Sequence, residues 1–195
     1  MASVTVDPNF TTGTLSPDAI TSVTFTNKAA REMRERLATR LGEKSQKLRI
    51  CTFHSLGLAI VREDAHLVGC KTNLSIFAGA EQRSCMRSVL QDMKLPADSD
   101  QVDRLISRVS MLKSGMLDDQ DGALARIRER YDELLRKMNA VDFDDLMVLP
   151  IQMLSEHDGI RAKWQARARH FLVDEYQDSS RVQYDLVRLL VPDNG

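Results

Sequence analysis

Residues 171–180 read FLVDEYQDSS, three apolar residues that run directly into Asp174 and Glu175. A short apolar run bounded by turn-forming residues reads as a buried strand, and a buried strand that ends in paired carboxylates ends where those carboxylates have work to do. Upstream, the chain offers two more strands of the same kind. Ile20, Val23, Thr24 and Phe25 follow the turn-like Ser16-Pro17-Asp18 and give a strand over about 20–25; Arg49 to Phe53 gives another. Each precedes a helical pattern. Ala30, Met33, Leu37 and Leu41 recur at three- to four-residue spacing until Gly42 stops them, with Thr26 or Asn27 able to cap the start, and His54 to Val68 carries Leu56, Ile60 and Leu67. Strand, helix, strand, helix predicts an α/β fold with a parallel sheet.

Between these elements the pattern is helical from about Ala80 to Met138, in three stretches divided by Pro96 with Asp98–Asp100 and by Gly115–Gly122. A helical insertion within an α/β domain is the reading. After Asn139, VDFDDLMVLPIQMLS reads as helix broken or kinked near Pro150, followed by the basic helix IRAKWQARAR. The third strand then comes at His170–Val173, and Ser180 with Gln183 supplies a capping box for a last helix with Val182, Leu186, Leu189 and Leu190 on one face.

Composition narrows the function classes. A net charge of -1 on 195 residues and the lack of any long apolar run predict a soluble chain with no membrane span, and the first twenty residues carry no secretion signal, which points to the cytoplasm. Cys51, Cys70 and Cys85 form no C-x-x-C pair and none of the four histidines stands at a metal-ligand spacing, so reduced thiols and no zinc are expected. The neutral total hides an uneven surface: from Lys28 to Arg49 there are eight basic residues against three acidic ones. Such a run is either a solvated helix face with intrahelical pairs or a phosphate-facing surface.

Ligands of open parallel sheets bind beyond the carboxyl ends of the strands. Asp174 and Glu175 lie there. Thr24 to Asn27 end the first strand and Thr52 to Ser55 the second, so three polar or aromatic strand ends border one rim; the competing reading is that groups such as Asn27 and Ser55 only cap their own helices.

Taken in order, TFTNKAAREMRERL, TFHSLGL, VDFDDL and FLVDEYQD closely resemble the first half of UvrD/Rep-type superfamily-one DNA helicases, from about Leu15 to the end of the chain. The resemblance implies a partial ATP-binding (1A-like) domain over 15–70 and 139–195, an all-helical 1B-like insertion over 71–138 and an unmatched leader over 1–14. It implies ATP and magnesium as cofactors, single-stranded DNA as partner and a role in replication or repair. Asp174 matches the Walker B acid that holds magnesium, usually through water, and Glu175 the acid that polarises the attacking water. Phe25, Thr26, Asn27 and Lys28 match one motif that lies along single-stranded DNA, and Thr52, Phe53, His54 and Ser55 match a second.

The departures are equally specific. A P-loop requires G-x-x-x-x-G-K-[ST], and the chain contains no Gly-Lys dipeptide; residues 1–14 carry only TTGT, and the chain stops before the second motor domain with its arginine finger. The sequence therefore reads as an incomplete copy. Expected consequences are negligible ATPase and self-association through exposed core surface. Two other readings stand beside the helicase fragment: a non-catalytic single-strand DNA-binding or partner-interaction module, and a RecB-like chain, which would need further domains.

Overall fold

In chain order the first elements are β1 (Ile20–Thr24), α1 (Asn27–Leu41), β2 (Arg49–Thr52), α2 (Phe53–Glu63), β3 (Ser75–Phe77), α3 (Ala80–Asp92) and α4 (Ser99–Lys113). They continue with α5 (Ala123–Lys137), β4 (Ala140–Asp142), α6 (Asp145–Glu156), α7 (Asp158–Arg167), β5 (His170–Val173) and α8 (Arg181–Leu190). The structure is a computed structural model that describes residues 16–120 and 122–191; the leader expected over 1–14 lies outside the described residues. Two compact units result, one from the chain up to Leu56 and from Leu154 onward, the other from Gly57–Met153. Their boundaries fall inside α2 and α6.

The first unit holds the parallel sheet, in the order β2-β1-β5. β1 is its centre and has the burial to match: Thr21, Ser22, Val23 and Thr24 are all buried, as a strand flanked on both sides by partners must be. Among the described residues of this unit, Ala30, Ile50, Phe53, Leu56, Trp164, Leu186 and Leu190 supply apolar core. Arg34, on α1, donates through Nε and Nη2 to the carbonyl of Ile50 at 3.1 and 2.9 Å. One cation of the basic run thus ties helix to edge strand, and a second, Lys28, stands 4.0 Å from Glu32 one turn on. The first is a contact between helix and strand, and the second an intrahelical pair on an exposed face.

The second unit packs α3, α4 and α5 around Met86, Leu90, Val102, Tyr131 and Leu135, with a smaller cluster of Val61, Leu74, Val141, Leu146 and Met153. Three local readings of the sequence change here. The helix expected over 54–68 ends at Glu63, and a 3-10 turn over Ala65–Val68 closes at Gly69 with φ 74°. Residues 140–142 are a strand, parallel to Ser75–Phe77, where a helix was expected after Asn139. Asn139 imposes it: its φ of 52° ends the preceding helix, its carbonyl accepts from the Ser75 amide at 3.0 Å and its side chain accepts from the Lys71 amide at 2.6 Å. Finally, α6 runs through Pro150 without a break. The proline removes the N–H that would meet the Leu146 carbonyl, and that oxygen is the atom an added Cβ on Gly57 would meet at 1.8 Å. Only glycine allows α2 to come this close to α6.

Lys113, at the end of α4, is buried beside Asp132 of α5, Asp142 of β4 and Asp145 of α6, with Nζ–O distances of 2.9, 2.9 and 2.7 Å. Its ammonium also lies 5.3 Å from the Tyr131 ring centroid. Burial alone would lower the lysine's pKa; the carboxylates, Asp145 foremost, outweigh it and hold it above its ordinary value. Asp142 and Asp145 accept from each other's backbone amides, at 2.9 and 3.1 Å, so the same carboxylates that bind the lysine also start α6.

Candidate functional site

The ladder fixes where the three strand ends emerge. Thr24 pairs with Thr52 and Val23 with Val173, all strands running the same way, and the amide of Asp174 donates to the Val23 carbonyl at 3.0 Å, one bond beyond β5. Residues 25–28, 53–55 and 174–175 therefore leave the sheet of the first unit at one edge, its carboxyl edge. Asp174 is half-buried there and Glu175 is exposed.

Glu175 has φ 51° and ψ 43°, the left-handed region. For a residue with a side chain this costs about 1–2 kcal/mol, and strain of this kind collects at sites where orientation matters. It turns the chain out of β5 into a 3-10 turn over Tyr176–Asp178, in which the Asp178 amide donates to the Glu175 carbonyl at 2.9 Å. The side-chain amide of Gln177 donates to the Glu175 carboxylate. Downstream, Ser180 and Gln183 form the capping box expected for α8, the Ser180 amide donating to Gln183 Oε1 at 2.9 Å.

The β1 end is stiffened by threonines. Thr24 Oγ1 donates to the Thr26 carbonyl at 3.1 Å and accepts from its amide at 3.3 Å. Thr26 is the cap of α1, its hydroxyl accepting from the Ala29 amide at 3.1 Å, which resolves the choice between Thr26 and Asn27. Asn27 and Lys28 stand exposed in the first turn. At the β2 end, Thr52 Oγ1 donates to Ser55 Oγ at 2.9 Å and accepts from the Ser55 amide at 3.2 Å. Phe53 is 1% exposed and its ring lies 5.8 Å from that of Phe25, tilted by 59°.

The residues singled out in the sequence therefore divide by access. Thr26, Asn27, Lys28, Ser55 and Glu175 present surface, Phe25, His54 and Asp174 are partly covered, and Thr52 and Phe53 are buried supports behind them. Arg34 and Gln177 were not anticipated. Gln177, two residues past Glu175, could have been suspected from a turn that must fold back on itself; Arg34 gave no signal, because an arginine in a mixed-charge helix reads as solvated.

Chemically, a half-buried carboxylate beside an exposed one at a strand end suits a hard cation that keeps most of its water, and the hydroxyl, amide and ammonium groups of the neighbouring ends suit phosphates. The chain is 39% identical to the ATP-dependent DNA helicase Rep of Escherichia coli (strain K12) over 183 residues, 88% of this chain and 27% of the relative. It is 38% identical to the ATP-dependent DNA helicase UvrD1 of Mycobacterium bovis over 186 residues, 88% of this chain and 24% of that relative, and 35% identical to the ATP-dependent DNA helicase PcrA of Leuconostoc citreum over 185 residues, 89% and 25%. It thus spans about a quarter of the length of these relatives. No helix among the described residues is long and apolar enough to cross a membrane. Residues 9–195 match the family described as UvrD/REP helicase N-terminal domain, and the chain belongs to that family.

Proposed function

We propose that this chain is the segment of an ATP-dependent, three-prime-to-five-prime DNA helicase that carries the acidic half of the nucleotide site and one wall of the single-strand track, acting in the cytoplasm in replication or repair. The observation that carries the reading is the shared carboxyl edge of β1, β2 and β5, to which the ladder delivers all three motifs. Asp174 would hold magnesium, and Glu175, fixed by its left-handed backbone and by Gln177, would orient and polarise the attacking water. Bound ATP with its magnesium supplies the electrophilic phosphorus. Phe25, backed by Phe53, offers a face to a base, while Thr26, Asn27, Lys28, His54 and Ser55 hold backbone; Thr52 acts by holding Ser55. The 1A-like part covers 15–70 and 139–195 and the 1B-like part 71–138. The outer edge of β5 carries no strand among the described residues, and Leu172 on it is 45% exposed; copies of the chain associate there, which sedimentation at rising concentration reads.

A second reading, a single-strand DNA-binding module without catalysis, is favoured by one observation: these 195 residues contain no Gly-Lys dipeptide with which to cradle phosphates. One experiment serves both. Phosphate release by the 195-residue chain, with and without single-stranded DNA, is expected to equal that of a chain carrying Asp174→Ala and Glu175→Ala, since a lost transition-state donor costs about a hundred- to a thousand-fold in rate. DNA binding measured in parallel at low salt is expected to weaken with Phe25→Ala, a stacked base contributing about 1–3 kcal/mol. Lys28→Ala is expected to flatten the salt dependence by about 0.7 in slope. Release above the double variant rejects the second reading; parent-like binding by both single variants rejects the DNA wall.

A further inference from the structure

We propose that Lys113, Asp132, Asp142 and Asp145 form a proton-operated latch, which holds the end of α4 on the β4–α6 turn more tightly in mildly acid than in neutral solution. The geometry is over-subscribed. An ammonium has three donors, and Lys113 has a carboxylate oxygen from each of three aspartates within 2.9 Å. Its side chain is fully buried and that of Asp142 nearly so; those of Asp145 and Asp132 are 10% and 15% exposed. One positive charge faces three negative ones. Arg128, with Nε 3.4 Å from Asp132 Oδ2, offsets part of the excess from the partly exposed side of the cluster, while Asp142 and Asp145 share the one buried lysine.

Rotation to water is no escape for the two aspartates of the turn, because each accepts the other's backbone amide and would lose it. The remaining relief is a proton. Asp145 is the group that takes it: burial first, then the neighbouring Asp142 and Asp132, outweigh Lys113 and push it up to about 6. The groups around it are Lys113 of α4; Arg128, Tyr131, Asp132 and Arg136 of α5; Cys70 ahead of β3; and Asp142 of β4. The cavity beside Asp132 and Asp145, with Cys70, Arg128, Arg136 and Gln152 in its wall, measures about 40 Å³, room for water and nothing larger.

The sign follows from linkage. A carboxyl whose folded pKa stands near 6 against an ordinary 3.8 keeps its proton longer in the folded chain. The stability it contributes is full below about pH 3.8 and is lost as pH rises through about 6. The test compares the 195-residue chain with Asp145→Asn by hydrogen exchange of the α4, α5 and α6 amides from pH 4 to 7.5. The ratio of opening constants, parent over variant, is expected to rise roughly a hundredfold across that range, two pKa units converted at tenfold each. A ratio that stays constant or falls overturns the proposal. Should Asp145→Asn not fold, Asp132→Asn decides: with one negative neighbour gone, the pH-dependent step in opening is expected to move to lower pH, and a step left in place overturns the latch.

Discussion

Two short parallel strands of this chain run into acids, and the two ends are built differently. β4 leads to Asp142 and Asp145, which are buried, bonded to each other's backbone amides and closed by Lys113. β5 leads to Asp174 and Glu175, of which one is half-buried and the other exposed, in a turn whose first residue sits in the left-handed region. In the first case the carboxylate oxygens of Asp142 and Asp145 are bonded within the fold. In the second the backbone carries strain and the Glu175 carboxylate stands in solvent. The same residue types after the same kind of strand are thus closed into the fold at one place and left open to solvent at the other, and burial together with the charge of the neighbours separates them.

The largest expected effect comes from opening the buried end. Lys113→Met removes the only lysine of the cluster and leaves three carboxylates facing one another. Removing one partner of a buried ion pair costs roughly 3–5 kcal/mol, so urea or thermal unfolding followed by circular dichroism should show a loss of that order at pH 7. The loss should shrink toward pH 4, where Asp145, pushed up to about 6, is protonated and no longer needs the lysine. A variant as stable as the parent at neutral pH would mean that the cluster is not a structural closure, and the contrast between the two strand ends would fail.

How much of this was legible in the sequence follows from the same contrast. The strands 20–24, 49–52 and 170–173 were readable because β-branched and apolar runs stand beside turn residues, and the capping box at Ser180 because its spacing is local. The carboxyl-edge residues of the site were readable because each follows one of these strands. β3 and β4 were not: three residues cannot show a period, and what sets them is the bonding of Asn139 to Lys71 and Ser75, more than sixty positions away. Lys113 was not readable either, since a lysine in the last turn of a helix ordinarily lies in solvent near the helix dipole. Its partners come from α5, β4 and α6, and only the packed chain brings them together. Phe53 shows the same limit inside the site, because a motif identifies a residue while burial decides whether it touches a ligand or props up one that does.

A smaller effect is expected where the buried end is packed from above. Gly57 faces the first turn of α6, one residue past Asp145, and an added Cβ would stand 1.8 Å from the Leu146 carbonyl oxygen and 3.2 Å from Pro150 Cγ. Neither neighbour is the tip of a flexible side chain, so Gly57→Ala must push the two helices apart. Overpacking of this kind costs about 1–3 kcal/mol, read as a lower unfolding midpoint with an unchanged denaturant slope. If alanine is tolerated without loss, the close approach of α2 to α6 is not a constraint, and the glycine of the TFHSLGL stretch is there for another reason.

The smallest expected effect has the opposite sign and lies at the exposed end. Glu175→Gly releases the left-handed strain, about 1–2 kcal/mol, while the glycine adds freedom to the unfolded chain worth about 0.4–1 kcal/mol. The interaction with Gln177 is exposed and contributes little to the balance. The net is no change or a stabilisation of up to about 1.6 kcal/mol, whereas removal of Lys113 at the buried end costs roughly 3–5 kcal/mol. A melt of Glu175→Gly beside Glu175→Ala separates the contributions, since alanine loses the carboxylate but keeps the strain, and glycine should be the more stable of the two. Were glycine clearly less stable than alanine, the φ of 51° at Glu175 would not be a cost borne by the fold. The carboxylate would then stand where the backbone prefers it, and the two strand ends would differ in burial and in the charge of their neighbours alone.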